Sequence, residues 1–136
     1  MVTVASIASI GLAAAGPAFA KGDIWVTAAP HSVHVGQTVH VHAAGVYGDG
    51  MEIEENPYQR ACIQQRLTPS GPWHTVKCGK VINHATSEAE AKADANVKAL
   101  RHGTVQFRGI LYGAKNPHVK HPAPIKTSEI ATVRVN

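Results

Sequence analysis

The chain has 136 residues, with 13 Lys and Arg against 9 Asp and Glu for a formal charge of +4, and it holds 9 His but only 2 Cys. That length suits one domain rather than several, and two thiols fall short of a four-thiolate zinc site. Aromatic residues make up 5% of the chain and its basic residues are scattered, which argues against a nucleic-acid binder.

Residues 1–20 read as a signal peptide. The segment VTVASIASIGLAAAGPAFA is apolar, interrupted by Gly and Pro, and ends in Ala18-Phe19-Ala20, the A-x-A pattern of cleavage after Ala20. No Lys or Arg precedes the apolar run, a departure from the usual basic start. As an anchor the segment is short and rich in Ala, Gly and Ser, and no later stretch is apolar for long enough to span a bilayer. The expectation is an exported domain covering residues 21–136, in a compartment where Cys62 and Cys78 pair.

Within that domain, residues 24–27 read as a first strand, closed by Ala28-Ala29-Pro30. Residues 38–43 alternate strictly, placing Val39, Val41 and Ala43 on one face and Thr38, His40 and His42 on the other, as in a half-buried antiparallel strand. A long connection, residues 45–58, leads to the stretch that organises the chain, RACIQQRLTPSGPWHTVKCGKV. Folding this stretch about Ser70 sets Leu67 against Trp73, Gln65 against Thr75 and Cys62 against Cys78. The turn Pro69-Ser70-Gly71 supports that hairpin, with Gly71 expected to supply the positive φ.

Residues 87–100 carry two opposed signals. Ser87-Glu88-Ala89-Glu90 fits a helix capping box, Gly103 fits a helix C′ position, and Ala is the best helix former. Against this, Ala89, Ala91, Ala93, Ala95, Val97 and Ala99 alternate with polar residues, and everything around them is β. The segment is predicted to be a strand. After the His102-Gly103 turn, residues 104–112 form the strongest strand, a loop is expected over 113–128, and residues 130–135 close the fold.

Seven short strands separated by turns indicate an all-β antiparallel sandwich. The stretches VGQTVHVHAAG, ACIQQRLTPSGPWHTVKC, ALRHGTVQFRGILYG and SEIATVRV resemble the immunoglobulin-like domains of small exported actinobacterial proteins. That resemblance implies an immunoglobulin-like β-sandwich of about seven strands and a binding or structural role with no shared catalytic residues, while the single intra-hairpin disulfide, Cys62–Cys78, follows from the hairpin register. Antibody-type domains instead join their two sheets through cysteines far apart in sequence.

In such a sandwich the 45–58 and 113–128 loops emerge at one end. The first carries Tyr47, Asp49, Glu52, Glu54, Glu55 and Tyr58 and the second Lys115, His118, Lys120, His121 and Lys126. They either pair with each other or form a polar and aromatic groove for a cell-envelope polymer or another extracellular protein. The alternative is a Zn²⁺ or Cu²⁺ site at His40 and His42, completed by His31, His34 or Asp94, or a cluster of His118 and His121 with Glu52 or Glu54. Calcium at residues 49–54 does not match EF-hand spacing. A small-molecule carrier resembling enediyne apoproteins would share the sandwich, but it would need a second disulfide and a deep apolar cleft. No nucleophile elbow or phosphate loop is present, so no enzyme and no cofactor are expected. The nine His would charge below about pH 6, and they read as a surface composition habit rather than as an affinity for anionic polymers that rises in acid.

Overall fold

The computed structural model describes residues 23–46, 55–87 and 89–136, so the expected signal peptide lies outside it. Among the described residues, ten strands run in chain order: β1 (Asp23–Ala29), β2 (Ser32–Val33), β3 (Thr38–Val46), β4 (Tyr58–Arg66), β5 (His74–Cys78), β6 (Ile82–Asn83), β7 (Ala91–Lys98), β8 (Gly103–Ala114), β9 (Ala123–Thr127) and β10 (Ala131–Val135). The seven anticipated strands are β1, β3, β4, β5, β7, β8 and β10. The alternating alanines do form a strand: Ala91 and Ala93 are buried on β7, while Lys92 and Asp94 are exposed.

The strands lie in two sheets, one ordered β1-β3-β7 and the other β2-β10-β8-β4-β5, with β6 added on β4 and β9 on β8. This is the immunoglobulin order, A-B-E on one side and G-F-C-C′ on the other. All pairings are antiparallel except β2 with β10, which is parallel. Val39, Val41 and Ala43 of β3, Ala61 and Ile63 of β4, Phe107 and Leu111 of β8 and Val133 of β10 form the buried core between the sheets. Small residues allow a close approach at its centre: a Cβ placed on Gly109 would lie 3.2 Å from both Ala43 Cβ and Ile24 Cδ1.

The stapled hairpin forms with a local slip. Cys62 faces Cys78 and their sulfurs are bonded, but a bulge between Ile63 and Gln64 then pairs Gln64 with Thr75 and Gln65 with His74. The expected Gln65–Thr75 partnership is therefore displaced by one residue, because Val76 turns in to pack against the core. The anticipated Leu67–Trp73 pair is not part of the ladder. The turn also closes differently: Gly71 N donates to Thr68 O at 3.0 Å, and positive φ occurs instead at Gly36 and Gly103. A Cβ at 71 would lie 2.6 Å from Thr68 Oγ1, so a larger residue there would require that exposed hydroxyl to rotate aside.

The 113–128 stretch is not all loop. Residues 123–127 form β9, which continues along the same edge of β8 that β10 occupies, with Ile125 packed on the core. Ser128 marks the break between β9 and β10: its hydroxyl accepts from Gly109 N at 2.8 Å and its own N donates to Gly109 O at 2.9 Å. The free connection shrinks to residues 115–122.

Beyond β6 the chain turns at His84, whose N donates to Pro57 O at 2.7 Å. Its ring Nε2 is buried without a hydrogen-bond partner. Burial holds the imidazole pKa below its ordinary 6.5, opposed by a hydrogen bond with the Ser87 backbone. A depressed folded pKa means that the unfolded chain takes the proton first, so this contribution is fully present above the unfolded value and is lost as pH falls through the folded pKa. Urea melts between about pH 7.5 and 4.5 should show that decline, and His84→Gln should make it shallower. Identical pH profiles would remove His84 from the account.

Candidate functional site

Tyr47, Asp49, Glu52 and Glu54, and with them the calcium candidate, lie outside the described residues. Of the other end-loop candidates, only Tyr58 borders a recess at this end of the sheet. Tyr58 opens β4 opposite Ala114, the last residue of β8, and Lys115, His118, Lys120 and His121 are exposed on the following 115–122 connection. That recess, of about 50 Å³, is lined by Tyr58, Arg60, Tyr112, Pro117, Val119 and Pro122, and not by the four basic loop residues. Its base is tied down: the buried Gln59 donates through Nε2 to Asn56 O at 3.1 Å, and Asn56 lies against Gly113.

The strand histidines face outward as alternation requires, but they are engaged with the neighbouring strand. His42 Nδ1 donates to Asp94 Oδ1 and His40 Nδ1 to Asn96 Oδ1, each at 2.5 Å and each between directly opposed residues of β3 and β7. The His42 ring also stands 5.1 Å from that of Trp25, tilted by 54°. These are cross-strand pairs of the kind that stabilise an exposed sheet face. His31 and His34 are elsewhere, flanking β2 on the opposite sheet, where His31 O accepts from Arg134 N at 2.8 Å. Among the described residues, no three His, Cys, Asp or Glu side chains gather as a metal ion would require.

The feature not anticipated is the outer face of the larger sheet. No Asp or Glu occurs in β2, β4, β5, β6, β8, β9 or β10. Alternation and register place Tyr58, Arg60, Gln64 and Arg66 of β4 outward beside Ala114, Tyr112, Arg108 and Gln106 of β8, with Thr132 and Arg134 of β10 next to them. Two clusters result. Arg60 stands opposite Tyr112, with its Nε buried and lacking a hydrogen-bond partner. Further along, the guanidiniums of Arg66 and Arg108 lie 4.5 and 4.3 Å from the Trp73 ring centroid. Each is oriented by a glutamine: Arg66 Nε donates to Gln106 Oε1 at 2.7 Å and Arg108 Nε to Gln64 Oε1 at 2.8 Å. Burial, and then the adjacent Arg66 charge, lower the Arg108 pKa, with Tyr112 opposing. Arginine stays protonated throughout, so two like charges are held side by side on one ring. The alternating pattern Arg60-x-Cys62-x-Gln64-x-Arg66 was the available signal for this face.

Together these features define an immunoglobulin-like β-sandwich with a cationic, aromatic sheet face. No protein-family profile matches the chain, and no curated protein matches it. Among solved structures, the chain is similar to a CARDB domain of a Pyrococcus furiosus protein, crystallised in complex with di-metal ions. The two share 15% identity over 88% of this chain and 97% of that one, with a TM-score of 0.44. Nothing about the site is drawn from a likeness at that level. Among the described residues, no helix is long and apolar enough to cross a membrane.

Proposed function

We propose that this chain is an exported, non-catalytic binding module that engages an anionic cell-envelope polymer through the outer face of its larger sheet. One observation carries the reading: the strands of that sheet hold no carboxylate, while Arg60, Arg66, Arg108 and Arg134 face outward among Tyr58, Tyr112 and Trp73. Guanidiniums present planar, forked donors suited to phosphate and carboxylate oxygens, and the flanking rings add flat apolar surface. An anion bridging Arg66 and Arg108 would relieve their mutual repulsion. Lys115 and Lys120 extend the same positive field beyond Tyr58 at the end of the sheet. A disulfide is compatible with an extracellular setting.

The test is co-sedimentation or calorimetry of the oxidised protein with poly(glycerol phosphate). Binding should weaken with added salt, as charge-driven contacts do. The double variant Arg66→Gln/Arg108→Gln should lose roughly tenfold or more in affinity, and Lys115→Gln/Lys120→Gln a smaller factor. Unchanged affinity in the arginine double variant would sink the proposal. Equal affinity for duplex DNA at the same salt would reduce the face to unspecific charge.

A further inference from the structure

Among the described residues, the sandwich end opposite the 115–122 connection is open. Where β3 and β8 begin and β4, β7 and β10 end, a cavity of about 330 Å³ lies between the sheets, with walls that include Val39, Val97, Ala99, Val105, Phe107 and Val135. The sequence had shown no apolar cleft, because residues from five strands meet only in the folded chain. Volumes of this order fall at the small end of ligand sites, and such sites combine apolar walls with a few placed polar groups.

Three observations define the occupant. The walls are aliphatic and aromatic, so its bulk is apolar. The charged residues of the rim are all basic: Lys98, Arg101 and His102 line the cavity and are exposed, with no carboxylate among the lining residues. The apolar lip is uncovered, with Leu100 74% and Leu67 50% exposed.

We infer that this cavity binds a small amphipathic carboxylic acid. The apolar chain lies between the sheets and the carboxylate meets Lys98, Arg101 and His102 at the mouth. This site is separate from the arginine face: it opens between the sheets, whereas Arg60, Arg66 and Arg108 lie on the outer surface of one sheet.

Amide NMR of the oxidised protein, titrated with decanoate, decan-1-ol and decylamine below their aggregation concentrations, tests the assignment. Decanoate should give saturable shifts at Val39, Val97, Ala99, Phe107 and Val135, decanol weaker ones and decylamine the weakest. Lys98→Gln/Arg101→Gln changes exposed side chains only and should weaken decanoate about tenfold while leaving decanol unaffected. Val97→Trp should fill the cavity and abolish both. Absence of saturable shifts at the lining residues, or an amine that binds as well as the acid, would overturn the site.

Discussion

Replacing Phe107 with alanine is expected to destabilise the protein by about 3–5 kcal/mol, more than any other single truncation. Phe107 is the largest fully buried side chain and sits on β8, with β4 on one side and β10 on the other. Its backbone neighbours are Gln65 and Ala131, so the surrounding ladder cannot move inward to fill the space it leaves. Its ring also borders the 330 Å³ cavity, so truncation enlarges an existing void rather than creating an isolated one. The cost of such a change depends on how far the walls collapse, and walls fixed in two hydrogen-bonded sheets collapse little. Urea denaturation of the native protein and Phe107→Ala measures the difference directly. Val105→Ala, two residues nearer the end of the sandwich, removes less volume and should cost less. A loss below about 1 kcal/mol for Phe107→Ala would mean that this end of the core is plastic.

The sequence allowed most of the architecture to be read because alternation is a local signal. Val39, Val41 and Ala43 against Thr38, His40 and His42 specify a strand and its buried face without reference to any other segment. The same holds for Ala91 and Ala93 against Lys92 and Asp94, where period two prevailed over alanine's helical preference because a neighbouring strand was there to pair. Features that depend on two segments at once were harder to see. The bulge at Ile63 and Gln64 shifts the hairpin by one residue, and only the core-facing demand of Val76 explains it. β9 was missed because Pro122 and Pro124 interrupt its stretch, yet an edge position on β8 tolerates both. The arginine face escaped notice because Arg60, Arg66, Arg108 and Arg134 are far apart in the chain and become neighbours only through strand order. The cavity is still less visible, being a consequence of which end of the sandwich the loops leave uncovered.

Removing the staple should have the second-largest effect. Cys62→Ala/Cys78→Ala opens a loop with a sequence separation of 16, for which the chain-entropy model gives about 3 kcal/mol. In a domain of this size that corresponds to a fall in Tm of roughly 10–15 °C. The location argues for the full effect. β5 is the edge strand of its sheet, it is only five residues long, and its ladder to β4 is interrupted by the bulge, so the disulfide is its firmest attachment. Trp73 immediately precedes β5 and carries Arg66 and Arg108 against its ring. Loss of the bond should therefore fray β5, release Trp73 and disorganise the arginine pair before the core melts. Calorimetry reads the first consequence and Trp fluorescence quenching reads the second, while poly(glycerol phosphate) affinity tests whether the face works as a unit. A variant that melts well below the native protein yet binds the polymer unchanged would separate stability from recognition, and would place the contact at Arg60 and Tyr112 rather than at Trp73.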